Sequence, residues 1–432
     1  MHAVRKYLAQ RAEPEAKLAA HFDGVYERCL VVPACRERAS LLDGFSRAAV
    51  TSSGRTLCIL VVNVRENAST EEHAASDAFL AELATLRGAR AVSPSRDGAF
   101  DVLVVDRASE GRRFPPKSGV GLARKVGMDV ALALHAAGKV RARMIHSTDA
   151  DATLPDAHFE RPELASGAGA VVFPFWHEPS VDLAVTRATA LYELSLRYYV
   201  AGLAFARSPY AYHSLGSTMA VDVESYAAVR GVPDREAGED FYLLGKVAKV
   251  APLVRATIPA LALQSRASDR TPFGTGAGVA EGLDEPDRAF YAPETFVALG
   301  RWLDALDVLA DTGSVERFDA ERGGLAVHEW DAARAALLGQ RGRDSFTHAV
   351  RDALSPSARR VRVHEWFDAF RTLKFVHALR DAVHVSVPFR DALARAPFSP
   401  LVGDDVDACR RAFADAESTT PAVFGPRQPR GG

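Results

Sequence analysis

A chain of 432 residues, 48% hydrophobic and 25% charged, is long enough for two cores, and its formal net charge of −2 excludes the basic field of a nucleic-acid-binding protein. Its four cysteines, Cys29, Cys35, Cys58 and Cys409, form no CxxC pair, which excludes a disulfide framework and a structural zinc site and fits a reducing compartment. No apolar run is long enough to span a bilayer and the N-terminal stretch has no signal-type apolar core, so a soluble cytoplasmic protein is expected.

Residues 1–20 read as a polar helix within an N-terminal segment, 1–25. Arg28 to Ala34 is a short apolar run bounded by turn chemistry, the signature of a buried strand. A helix is expected over Arg38–Val50, a second buried strand over Leu57–Val64, a helix over Thr70–Arg87 and a third strand over Phe100–Asp106. A Gly- and Pro-containing loop and a helix through Leu134 follow, then a fourth strand, Val140–Ile145, and a fifth, Gly169–Phe175. This alternation predicts an α/β fold, a mostly parallel sheet with helices on both faces. In such sheets ligands bind beyond the carboxyl ends of the strands. That singles out Arg36 and Glu37, Asn63, Asp106, and Asp149 with Asp151.

Val181–Ala206 fits a helix, and a mixed stretch runs on to about Gly282. From 285 to 416 the pattern turns amphipathic and helical (Pro293–Asp311, Val327–Leu338, Val363–Val383), with Trp302, Trp330 and Trp366 at core positions. The expected organisation is an N-terminal helix (1–25), an α/β domain (26–284), a helical subdomain (285–416) and a disordered Pro- and Gly-rich tail (417–432). No internal repeat is present, and the C-terminal helices are the expected surface for self-association.

Several constellations are candidates for chemistry. In Asp149-Ala150-Asp151, just past the fourth strand, residues i and i+2 point the same way, so both carboxylates can reach one hard cation, Mg2+ or Mn2+, whose shell substrate phosphates complete. The competing reading is a solvated Asp-Ala-Asp turn. Glu239-Asp240 opens an apolar helical run; either carboxylate suits a general base, and both also suit the first turn of a helix. The stretch from Gln264 to Gly276 holds Arg266, Arg270, hydroxyls and two glycines, which suit phosphate oxygens as well as they suit an ordinary surface loop. Gly119-Val120-Gly121, with Arg124 and Lys125 behind it, can meet a diphosphate at a helix N-terminus. His213 and Ser217, in Tyr212–Thr218, and His177, in Phe175-Trp176-His177-Glu178, are candidates for an acceptor pocket beside their plainer reading as structural residues.

In this order the elements resemble nucleotide-sugar-dependent glycosyltransferases of the GT-A fold, bacterial family 2-like members in particular. Val32-Pro33-Ala34-Cys35-Arg36-Glu37 is similar to the family's Pro-x-x-Asn-Glu-like end of strand one, with Arg36 where Asn is common. Asn63-Val64-Arg65-Glu66-Asn67-Ala68-Ser69 is a looser match to the Asp-Asp-x-Ser end of strand two, and Asp106-Arg107-Ala108-Ser109 is an alternative. Asp149-Ala150-Asp151 corresponds to the metal-binding Asp-x-Asp and Glu239-Asp240 to the downstream acidic pair. The resemblance spans about residues 26–280. It implies a Rossmann-like sheet, Mn2+ or Mg2+ at Asp149 and Asp151, a nucleoside-diphosphate sugar as donor, and a carbohydrate or other hydroxyl as acceptor. Asp240 would deprotonate that hydroxyl with inversion at the anomeric carbon, and Glu239 would be the fallback base. Pro33, Glu37, Asn63, Asp106 and Arg124 would contact the donor, and Arg266 and Arg270 would close on its diphosphate.

Two rival readings stand beside it. Asp149-Ala150-Asp151-Ala152-Thr153-Leu154 also matches the Asp-x-Asp-x-Thr-Leu motif of haloacid dehalogenase-type phosphatases, in which the first Asp is the nucleophile. That motif normally follows a domain's first strand, and here three strand-like segments precede it. The second rival is a binding protein that keeps the fold without transferring a sugar.

Overall fold

The computed structural model describes residues 2–86, 99–156, 158–160, 167–235, 237–267, 274–284, 287–339, 345–346, 348–350, 355–418 and 423–425. They divide into two compact units, one of residues 1–186 and 214–278 and the other of residues 187–213 and 279–432. The second unit therefore takes residues 187–213 as well as the C-terminal helices expected from residue 285 onward.

The first unit is mixed α/β. Its strands are β1 (Arg28–Ala34), β2 (Thr56–Asn63), β3 (Phe100–Arg107), β4 (Met144–Ser147), β5 (Ala152–Thr153), β6 (Ala170–Val172), β7 (Phe175–Glu178), β8 (Met219–Asp222), β9 (Leu253–Arg255) and β10 (Leu261–Gln264). The large sheet runs β9-β6-β8-β4-β1-β2-β3 across this unit. β1 pairs in parallel with β2 and β4, and β2 with β3. The expected fifth strand splits at Pro174 into β6 and β7, and β8, which the strand patterning missed, enters antiparallel between β4 and β6. The sheet is thus mostly parallel.

Every residue of β1 and β2 is buried, because helices cover both faces and leave no side for alternation with polar residues. Pro33 sits in a central strand without a lost hydrogen bond. Val31 faces β4, where its carbonyl accepts the Thr148 N–H at 3.1 Å. Pro33, two residues on, turns its nitrogen the same way, beyond the last β4 partner of β1. Strand order reverses between β1 and β4, since β2 and β3 lie on the other side of β1. A crevice at the carboxyl ends of β1 and β4 is the place such a reversal creates for a ligand.

Helices α1 (His2–Gln10), α2 (Leu41–Val50), α3 (Thr70–Leu86) and α4 (Val120–Ala136) belong to this unit. The single N-terminal helix expected over residues 1–20 breaks before Pro14, where a 3₁₀ turn, Pro14–His21, begins. Asp129 of α4 is fully buried and fastens this segment. Its Oδ1 accepts from Tyr7 and Tyr226 hydroxyls, each at 2.7 Å, and its Oδ2 from the Glu13 N–H at 2.8 Å and Lys125 Nζ at 2.7 Å.

Helix α5 (Leu183–Phe205) runs from the first unit into the second along the chain. α6 (Val223–Ala228) and α7 (Glu239–Val250) return to the first, α8 covers Thr275–Asp284, and α9 (Pro293–Thr312) opens the rest of the second. Trp302 of α9 is fully buried, with Trp330, Phe318, Phe367 and Phe375 all within 6.0 Å between ring centroids. The helix expected over Val363–Val383 is two, Pro356–Trp366 and Ala369–Ala382, because the Asp368 side chain caps the second by accepting the Arg371 N–H. The last helix, Val406–Ser418, includes Glu417, the residue at which the sequence pattern begins a tail. No helix among the described residues is long and apolar enough to cross a membrane.

Candidate functional site

The carboxyl end of β4 carries Ser147, Thr148 and Asp149, and Asp151 follows directly before β5. β5 is short but decisive for position. It pairs antiparallel with β10, Ala152 opposite Leu263, so the chain leaving β10 runs past Asp151 and brings Arg266 to it. Arg266 Nη2 stands 2.7 Å from Asp151 Oδ2, and Nη1 stands 3.9 Å from Glu37 Oε1. Glu37 arrives from the end of β1, so the fold brings the predicted residues Glu37, Asp151 and Arg266 together. Burial and the neighbouring Asp149 push the Asp151 carboxyl above its ordinary value, with Glu37 adding to the effect and Arg266 opposing it.

Asp149 meets a different arginine. Arg124 of α4 is 2% exposed, although its place in the first turns of a helix had suggested a ligand contact. Its Nη2 donates to Asp149 Oδ1 at 2.9 Å and its Nε to Glu239 Oε1 at 3.0 Å. Its Nη1 donates to Ser147 Oγ at 2.5 Å and to the Gly216 carbonyl at 2.9 Å. The guanidinium is therefore engaged by the protein itself on all three nitrogens. Asp149 and Glu239 hold it charged against the cost of its burial. Ser147 and Gly216 were not among the sequence candidates. Ser147 is two residues before Asp149 on the same strand face, a signal that was available in the sequence; nothing there pointed to an arginine partner.

The Glu239-Asp240 pair opens α7, as the acidic first turn suggests. Gly238 enters that helix at φ 72°, a left-handed conformation that explains glycine in Ala-Gly-Glu-Asp. Glu239 is buried on Arg124, whereas Asp240 is only partly buried. Asp240 Oδ2 accepts the Gly216 N–H at 2.7 Å and Oδ1 accepts the Phe241 N–H at 2.7 Å. Withdrawal from water, with Glu239 beside it, pushes the Asp240 carboxyl up to about 7 against the pull of Arg124.

Gly216 thus links the two acidic motifs, its carbonyl on Arg124 and its N–H on Asp240. Ser217 adds a second tie, its carbonyl accepting the Thr148 hydroxyl at 2.8 Å. His177 is buried on β7, edge-on to Phe175 at 5.7 Å, in the same three-stranded sheet as β5 and β10. His213 falls in the second unit and bonds Glu417 at 3.0 Å, next to a buried ion-pair network of Glu193, Arg197 and Arg410.

The first-half candidates occupy the neighbouring strand ends. Asn63 is buried at the end of β2 and donates to the Ala34 and Val61 carbonyls, both at 3.1 Å. Arg36 adopts φ 58° and pairs with Glu72 at 3.0 Å. A left-handed backbone is sparsely populated by residues other than glycine, so Arg36 is held in a strained conformation. Asp106 accepts the N–H groups of Ala108 and Ser109 and pairs with Arg112 at 3.3 Å. Burial would raise its carboxyl, but these N–H groups outweigh it and hold it below its ordinary value. It also lines a cavity of about 640 Å³ with Leu80, Leu83, Lys17 and Arg112. Arg270 lies outside the described residues.

Among the described residues no cluster of three or more His, Cys, Asp or Glu is arranged to hold a metal ion. Asp149 and Asp151 with Glu37 make a pair of carboxylates and a near neighbour, each of the pair facing a guanidinium.

Fold and site define a mixed α/β protein whose open, mostly parallel sheet carries an acidic, arginine-braced cluster of side chains beyond the carboxyl end of β4. No protein-family model matches the sequence, and no curated protein matches it. Among solved structures the chain is similar to the mannosyltransferase PcManGT from Pyrobaculum calidifontis in complex with GDP-Man and Mn2+, at 14% identity and a TM-score of 0.29, over 86% of this chain and 95% of that one.

Proposed function

We propose that this protein is a GT-A-type, family 2-like glycosyltransferase, moving a sugar with inversion from a nucleoside diphosphate to an acceptor hydroxyl. The observation that carries the reading is the Arg124–Gly216 junction, which draws Asp149 and the Glu239-Asp240 pair into one crevice at the carboxyl ends of β1 and β4. A solvated Asp-Ala-Asp turn would not need a fully buried arginine on its first carboxylate.

Asp240 is the general base. It is partly open to solvent, oriented by two backbone N–H groups, and pushed toward neutrality, where a base is both ionised and proton-avid. Glu239, buried on Arg124, orients that arginine and is unsuited to a free base. Glu37 at the end of β1 lines the donor side, as do Pro33 and Asn63, with Asp106 beyond them. Ser217 and His177, both in the first unit, remain the acceptor-side candidates, and His213, held on Glu417 in the second unit, is not proposed with them.

Asp149 and Asp151 fit a divalent cation, Mn2+ or Mg2+. They supply two hard oxygen donors two residues apart with Glu37 adding negative field, and substrate oxygens would complete the shell of such an ion. Such an ion, when bound, stabilises charge on the departing nucleoside diphosphate as a Lewis acid. The phosphatase reading would make Asp149 the nucleophile, but that motif normally follows a domain's first strand, and Asp149 follows β4.

The test is Asp240→Asn. Loss of transfer by about 10²–10⁴-fold with nucleoside-diphosphate affinity unchanged is expected. Unaltered turnover would remove Asp240 from the chemistry, and an aspartyl-phosphate trapped on Asp149 would replace the whole reading with the phosphatase.

A further inference from the structure

The two carboxylates of Asp149-Ala150-Asp151 each face a guanidinium, but the two arginines are held very differently. Arg124 has a side chain 2% exposed and further bonds to Ser147, Gly216 and Glu239. Arg266 has a side chain 36% exposed, and its ion pairs are with Asp151 and Glu37 alone among the described residues. A buried, multiply bonded arginine stays in place because leaving strands several charges. The Arg266–Asp151 pair, with side chains 36% and 18% exposed, is held by fewer partners and is more open to exchange than the Arg124 pairs.

We propose that Arg266 is a built-in counter-ion for Asp151, which a divalent cation displaces and which then pairs with the donor's diphosphate. This rests on the reading of Asp149 and Asp151 as the cation site. Asp151 Oδ2 is the atom at issue: Arg266 occupies it, and a cation taking the same oxygen would sit against a positive charge. The released guanidinium needs a new anionic partner, and its planar fork suits phosphate oxygens. Cation and diphosphate consequently favour one another through a residue of the chain, and the coupling is reciprocal. Before the cation arrives, Arg266 also offsets the repulsion between Asp151 and Glu37.

The experiment measures Mn2+ binding without any sugar transfer. MnCl2 is titrated calorimetrically into the full chain and its Arg266→Gln and Arg266→Lys variants, without nucleotide. UDP, GDP, ADP, CDP and TDP are then titrated in turn at saturating Mn2+. Arg266→Gln is expected to bind Mn2+ alone about fivefold more tightly and its best nucleoside diphosphate about tenfold more weakly. Arg266→Lys keeps the charge and should stay near the parent for Mn2+ alone. Unchanged or weakened Mn2+ affinity in Arg266→Gln, with its fold intact by circular dichroism, overturns the proposal while leaving the cation site standing. If neither parent nor variants bind Mn2+ with or without nucleotide, and Asp151→Asn behaves like the parent, the cation site itself is refuted and the proposal with it.

Discussion

Gly216 lies against the guanidinium of Arg124 so closely that a methyl group on its α-carbon would collide with Nη2. The far end of an arginine can usually step aside. Here it cannot, because the same guanidinium is tied to Asp149, Glu239 and Ser147. Gly216→Ala should therefore destabilise the fold by about 1–3 kcal/mol, as overpacking does. It should also reduce transfer by more than the loss of stability explains, since it moves the anchor of Asp240. Urea denaturation beside steady-state rates at a temperature well below unfolding tests both parts.

Replacing Arg124 tests the brace directly. Arg124→Met leaves Glu239 buried without its partner and should cost about 3–5 kcal/mol. Arg124→Lys restores one charge but cannot donate in three directions, so only a minor part of that loss should return. Equal stability of the lysine variant and the parent in chemical denaturation would show that charge alone, and not the fork, is needed.

The raised Asp240 carboxyl has two consequences of opposite sign. As a base it must be ionised, so kcat/KM should climb with pH through about 7 and level off above it. For stability, the folded chain holds this proton more tightly than the unfolded chain does. The associated stabilisation is complete below the ordinary carboxylate range and is lost as pH rises through about 7. Asp240→Asn cannot ionise, so its melting temperature relative to the parent should improve from pH 5 to pH 8. A pH-independent difference between the two would place the Asp240 carboxyl in the ordinary range.

Asp129 offers a test remote from the crevice. Tyr7 and Tyr226 both donate to its Oδ1, so each should cost about 1–2 kcal/mol when changed to Phe. Their effects should not add, because the two hydroxyls share one acceptor atom. Asp129→Asn, which leaves Lys125 with a weaker partner, should cost more than either. Strict additivity in a double-mutant cycle would refute the shared-acceptor account.

Much of the first unit was legible because its strands are buried on both faces. Arg28–Ala34 and its successors appear as continuous apolar runs, and their alternation with helices leaves one class of sheet. The acidic start of α7 was legible as well, since Gly238 and the carboxylates mark a helix entry. The short strands were not. β5, β8 and β10 have two to four residues each, too few for any periodicity, and β8 enters against the direction that alternation predicts. The strand expected at Val140–Ile145 begins instead at Met144, since Val140 makes only an isolated bridge to Tyr26.

The sheet class, the two acidic motifs and their places after a strand and at a helix start are written in local spacing and composition, and so could be read directly from the chain. Which charge meets which was decided only in three dimensions. Arg124 was expected to face a ligand and is instead enclosed between Asp149 and Glu239, while Arg266 reaches Asp151 because a two-residue strand pairs with β10. Ion pairing is set by backbone paths that converge from distant parts of the chain, and no local pattern records that convergence.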